Sequence, residues 1–224
     1  MEPALVIFLL AALFIVGFVY NYYQKQQKWN FWEKLAEDWQ YRFRTDDAYR
    51  FAEREEFPLF KQGHDRSVDY LIEGKSHGKQ ILLFDYSYKT GSGKSETTHG
   101  LTALMIQTPV YGCGLTVRPE NFFDRLAAFV GFDDINFEFE EFNRAFQVKC
   151  NDKKFAYDVF HNKMMEFLME HRNLAMEWFD FRILFYLFPT QHVHSRAGAE
   201  YLRAMAEGFV QRLPEYLVEQ QREG

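Results

Sequence analysis

Gln80–Thr90 reads QILLFDYSYKT, and two runs of the same character flank it: Ser67–Glu73 (SVDYLIE) and Thr97–Thr108 (TTHGLTALMIQT). β-Branched and aromatic side chains suit the pleated, half-buried surface of a strand. Runs of this length, separated by Gly-containing turns, read as consecutive strands. Leu115–Arg118 adds a short fourth. Sequential strands joined by short connections predict an antiparallel meander.

Toward the C-terminus the pattern changes. Pro119 stands where a helix favours proline and Gly131 where a helix stops, with Phe122, Phe123, Leu126, Ala127 and Val130 as one apolar stripe between them. Phe146–Cys150 reads as another strand, and helical turns are expected over Phe155–Phe160 and Lys163–His171. Leu174–Phe188 (LAMEWFDFRILFYLF) is long for one strand and reads as a hairpin turning near Asp180. Arg196–Leu213 predicts an amphipathic helix, with Tyr201, Leu202, Met205, Phe209 and Leu213 on one face and Pro214 as its stop. The expected class is α+β: an antiparallel sheet of about six or seven strands, packed with helices and closed by the C-terminal helix. The same order suits a pleckstrin-homology-like barrel, an analogy of fold that carries no function.

Toward the N-terminus, Ala4–Tyr20 is ALVIFLLAALFIVGFVY, and no charge occurs from Pro3 to Tyr23. At about 1.5 Å per residue such a helix spans the roughly 30 Å of a bilayer's hydrocarbon. Tyr20, Tyr22 and Tyr23 mark one edge, where amphipathic rings favour the headgroups. A cleaved signal peptide would want a basic start and small residues at its end, but the chain begins Met-Glu-Pro and passes into Val19-Tyr20-Asn21-Tyr22. Lys25, Lys28, Lys34, Arg42 and Arg44 follow the span, so the positive-inside rule places the rest in the cytoplasm. Residues 1–23 are thus expected to be a single-pass transmembrane anchor in contact with bilayer lipid through residues 3–23. Residues 24–45 read as a juxtamembrane helix, capped by Asn30 and carrying Phe31, Trp32, Leu35, Ala36 and Trp39. Residues 46–224 form a single soluble α+β domain, irregular up to Gly63.

The net charge of −6 argues against nucleic acid as a partner, which needs dense Lys and Arg. Aromatics make up 19% of the chain, with 25 Phe and 13 Tyr, enough for a well-filled core and for surplus rings at an interface. Cys113 and Cys150 have no second cysteine at metal-ligand spacing. A single bridge and two reduced thiols both fit them, and a reducing compartment favours the thiols.

Gly91-Ser92-Gly93-Lys94-Ser95 resembles the end of a phosphate-binding loop, yet Tyr88 stands where the full pattern needs its first glycine. A strand rather than a helix follows, so no helix N-terminus would face a phosphate. The segment reads as a hairpin loop. His192-Val-His194 offers two imidazoles without a third ligand, and Asn136–Arg144 (NFEFEEFNR) reads as a solvated acidic turn around Glu138, Glu140 and Glu141. Tyr111-Gly-Cys113-Gly reads as a tight turn between strands. No residue is assigned a catalytic, cofactor-binding or metal-binding role, and no cofactor is expected.

The block Leu83-Phe84-Asp85-Tyr86-Ser87-Tyr88 running into Thr90-Gly91-Ser92-Gly93 resembles a pattern in uncharacterised bacterial membrane-anchored proteins grouped as domains of unknown function. So does Glu140-Glu141-Phe142-Asn143-Arg144-Ala145-Phe146 followed by Met164-Met165-Glu166. The likeness covers residues 33–190. It implies a bacterial membrane-anchored α+β domain with a strand-connecting loop at Gly91–Ser95, and brings no activity with it. The expected function is a non-enzymatic interaction module at the cytoplasmic membrane face, with a protein or lipid partner. The alternative is a hydrolase, nucleotide-dependent through Lys94 and Ser95 or metal-dependent through His192 and His194.

Overall fold

Side chains alternate across the central strands, and both faces are apolar. Ile81 and Leu83 pack into one core with Leu104, Ile106, Trp178 and Phe185. Leu82, Phe84 and Tyr86 point the other way, into a second core with Phe51, Phe57 and Phe60. A sheet buried on both faces therefore organises the protein. A computed structural model describes residues 3–53, 56–120 and 134–220.

The chain begins with α1 (Pro3–Trp39), reverses at Gln40, where φ is +57°, and returns as β1 (Arg42–Arg44). Two short 3-10 turns, Phe51–Glu53 and Pro58–Lys61, precede β2 (His64–Ser76), β3 (Lys79–Thr90) and β4 (Thr97–Pro119). Then come α2 (Glu140–Ala145), β5 (Phe146–Lys149), α3 (Lys153–Val159), α4 (Asn162–Met169), β6 (Leu174–Leu187), α5 (Arg196–Gln211) and α6 (Glu215–Gln220). The sheet has six strands in the order β1-β2-β3-β4-β5, with β6 paired to β4, and every pairing is antiparallel. β3 pairs Thr97–Ile106 of β4 and β5 pairs Thr116–Pro119, while β6 overlaps both stretches. Hence β3 and β5 share one edge of β4 and β6 takes the other. The expected α+β class, with an apolar N-terminal helix, an antiparallel sheet and an amphipathic C-terminal helix, is what the protein has.

Several expectations are corrected here. Leu174–Phe188 is not a hairpin but one strand along β4, and Thr97–Thr108 and Leu115–Arg118 are one strand, not two. Tyr111-Gly-Cys113-Gly is accordingly no turn between strands: it lies inside β4, where Gly112 pairs Asp180. The apolar pattern explains the misreading. On the helical face β6 presents Met176 and Trp178 and then Ile183 and Phe185, a switch from even to odd positions. β4 makes the same switch between Ile106 and Leu115. Paired register shifts at Gln107/Gly112 and Cys113/Leu115, with Asp180 at φ +49°, let both strands change phase without parting. A bulge and a turn interrupt periodicity alike.

A further correction is at Asn30, which caps nothing. α1 runs unbroken through it, and its side chain accepts a bond from Gln26 Nε2. Residues 42–44, expected to be helical, are β1. Pro119 ends β4 opposite Phe146, and the helix expected after it lies outside the described residues.

Helices cover one face of the sheet. Trp32, Leu35 and Ala36 from α1 enter that core with Phe155 of α3, Met164 of α4 and Phe209 of α5. The chain around Phe51 and from Phe57 to Phe60 covers the other face. It is pinned there by Glu177, which is fully buried, takes the Leu59 N–H at 3.0 Å on one oxygen, and takes Arg118 Nη2 at 2.8 Å and the Tyr186 hydroxyl at 3.0 Å on the other. Burial raises the Tyr186 phenol well above its usual value, so it stays a proton donor to that carboxylate.

Candidate functional site: the junction of anchor and sheet

α1 has two unlike halves. Ile7–Trp39 is long and apolar enough to cross a membrane, and its apolar stretch is not buried within the protein. Phe8, Leu13, Phe14 and Phe18 lie open to the surroundings, whereas Trp32, Leu35 and Ala36 are among the best buried residues of the domain. One rigid helix thus carries both an exposed apolar surface and part of the core.

The second half is held by rings and by charge. Trp32 stacks on Tyr70 at 5.9 Å, and Trp29 meets Phe43 edge-on at 5.2 Å. Between Trp29 and the apolar half stands Lys28, whose ammonium lies 2.7 Å from Asp85 Oδ2 and over the Tyr70 ring at 5.1 Å. Asp85 sits in the middle of β3 on the helical face and is 1% exposed. His192 Nδ1 lies 3.2 Å from the same oxygen. Thr102 of β4 donates a short hydroxyl bond to the other oxygen, and its own oxygen accepts the Val193 N–H at 2.8 Å. Gly100 makes room for the imidazole, since a Cβ there would fall 2.2 Å from His192 Nε2. Burial opposes the charged form of Asp85, but His192 and Lys28 outweigh it and hold the carboxyl below its usual range. Three distant parts of the chain, α1, β3 and the segment before α5, meet at this carboxylate. Its chemistry is that of a lock, with its oxygens occupied by protein groups.

The residues singled out in the sequence fall elsewhere or in other roles. Lys94 and Ser95 are exposed in a three-residue 3-10 turn joining β3 to β4, with a strand after it. His192 and His194 have ring centroids 5.9 Å apart, but His192 turns one nitrogen to Asp85. Glu138, Glu140 and Glu141 are exposed, and Glu140 pairs with Arg144 at 2.9 Å. Cys113 and Cys150 are both free thiols.

Among the described residues, His64, Asp65 and Glu96 bring three donor atoms within 4.8 Å of one another. All are exposed, and Lys89 Nζ already lies 3.2 Å from Asp65 and 3.1 Å from Glu96, so a cation would have to displace it. Sequence reasoning passed over this group because Glu96 is far in the chain from the adjacent pair His64 and Asp65. It also passed over Asp85, although an acid inside LLFDYSY was a signal: burying a carboxylate requires a partner.

No protein-family model matches the chain, and none of the curated proteins does. Among solved structures it is similar to the crystal structure of the mycobacterial trehalose monomycolate transport factor A, TtfA, with a TM-score of 0.60 and 11% identity, over 82% of this chain and 94% of that one. At that identity the likeness establishes the fold alone.

Proposed function

We propose that the protein is a non-enzymatic module held at the cytoplasmic face of a membrane by α1, presenting its sheet domain to a protein or lipid partner. One observation carries this reading: α1 is continuous from an exposed apolar half into the core of the domain. Orientation follows from Lys25, Lys28 and Lys34 just after the apolar stretch. A solved protein of similar fold is a transport factor, and an accessory role of that kind suits a domain whose buried charges are spent on holding it together. The resemblance of its motifs to those of bacterial membrane-anchored proteins belongs to the same reading. An exposed aromatic pair, Tyr111 and Phe181 at 5.6 Å, adds apolar surface next to the bulge.

The test is a topology reporter fused after Gly224, combined with carbonate washing of membranes. Retention in the washed membranes with reporter activity on the cytoplasmic side is expected. Release by carbonate would remove the anchor, and activity on the outer side would reverse the orientation. Stoichiometric metal in the purified protein, or nucleotide-dependent melting lost in Lys94→Ala, would favour a hydrolase instead.

A further inference from the structure

The direction of α1 across the sheet decides which end of the domain faces the bilayer. Trp32 lies on Tyr70, and Tyr41, two residues beyond the helix, packs on Gly74 and bonds the Lys75 carbonyl. Helix and β2 therefore run in the same sense. Following α1 back toward its apolar half means following β2 toward His64, and its antiparallel neighbour β3 toward Thr90. The β3–β4 loop, Gly91–Glu96, is at that end, and the β2–β3 turn is at the other.

Lengths place the loop at the height of the headgroups. Lys28 grips Asp85, which gives helix and strand a common level. From there to Tyr23, at the edge of the apolar stretch, α1 rises about 7.5 Å. From Asp85 to Thr90, β3 extends about 16 Å before the loop begins. With an oblique crossing of helix and strand, the hairpin reaches the level of Tyr23.

The charges fit such a neighbour. Lys61, Arg66, Lys89 and Lys94 lie at this end against Asp65, Asp69 and Glu96, in a chain of net charge −6, and both Asp65 and Glu96 are bound to Lys89. Lys94 stands exposed at the tip of the loop between Gly91 and Glu96.

We propose that the β3–β4 hairpin rests on the bilayer that α1 crosses, with Lys94 against anionic lipid headgroups, so that the domain has one fixed face toward the membrane. This rests on the reading of α1 as a membrane span. A single Lys near a charged membrane surface contributes a modest attraction that salt weakens.

The experiment uses the native full-length chain in nanodiscs of phosphatidylcholine, alone or with phosphatidylglycerol added. Amine acylation is followed by mass spectrometry at Lys94 and at Lys75, which is exposed near the β2–β3 turn. Acylation of Lys94 should slow about fivefold in the anionic discs, the weight of one Lys at such a surface, and recover in high salt, with Lys75 unaffected. Equal rates at Lys94 in both discs, with the chain co-eluting with them, would overturn the hairpin contact and leave the span standing. A chain that fails to co-elute with either disc would overturn both. Lys94→Glu gives a second measurement: Lys89, at the base of the same hairpin, should be slowed by the anionic discs in the native chain and equally reactive in both discs in the variant, and lipid-dependent protection of Lys89 that survives the substitution would count against Lys94 as the contact.

Discussion

Asp85 concentrates at one carboxylate the joining of α1, β3 and the segment before α5. Removing one partner of a buried pair strands the other charges, so Asp85→Ala should cost about 3 kcal/mol in urea unfolding of the full chain in detergent. Lys28→Met should also destabilise the protein, since it leaves the buried Asp85 carboxylate without its cation. The pH dependence has a definite sign. The folded protein holds the Asp85 carboxyl below its usual range, so its contribution is complete above the ordinary carboxylate pKa of about 4 and lost as pH falls below it. Asp85→Asn should therefore flatten the acid limb of the stability curve, and an unchanged limb would show that other carboxylates govern it. The two thiols differ as well. Burial pushes Cys150 up to about 11, and Cys113, half-buried, is raised by burial and by the charge of Asp152. The thiolate is the reactive form, so iodoacetamide at mildly alkaline pH should modify Cys113 first; equal rates would contradict the burial of Cys150.

Among the elements, the β4–β6 pair is the one whose irregularity matters most. Both strands change phase together, and the change is accommodated at Gly112, Gly114 with φ +76° and Asp180 with φ +49°. A Cβ on Gly112 would fall 2.0 Å from Trp178 Cδ1, a fully buried ring with no room to yield. Gly112→Ala should destabilise the protein by about 1–3 kcal/mol through overpacking, read as a lower urea midpoint. A neutral result would mean that the bulge can relax. Length and aromatic content identified Leu174–Phe188 as β structure, but not its course, because a phase break at Asp180 looks the same in one strand whether the chain turns or bulges. Only the partner strand, breaking phase at the same level, resolves the two.

For the whole molecule, the continuity of α1 matters more than its length. Trp32 and Lys28 fix the helix to the sheet only a few residues beyond Tyr23, so with α1 as the proposed membrane span the domain is expected to have a set orientation to the bilayer rather than to swing on a linker. Gln26→Pro would interrupt the helix between these points. Core and apolar stretch are both left in place, so folding and membrane retention should persist while the lipid-dependent protection of Lys94 is lost. Protection that survives the proline would mean that the hairpin is held at the surface by its own attraction. The junction itself was legible only in pieces. Lys28 stood out as a topology signal, Asp85 as part of a strand and His192 as half of a histidine pair. Their meeting spans contacts between residues 28, 85 and 192, which no local spacing encodes.

The sequence by itself determined the apolar span, the α+β class, the β2–β3–β4 meander and the amphipathic α5, because each is written in short-range periodicity and in uninterrupted apolar length. Tertiary structure alone decided that α1 continues into the core, that β4 and β6 run on through their phase breaks, and that Lys28, Asp85 and His192 share a site. Those outcomes depend on pairing energy between segments far apart in the chain. A local pattern specifies which face a residue prefers, and only the partner that covers that face settles where the chain goes.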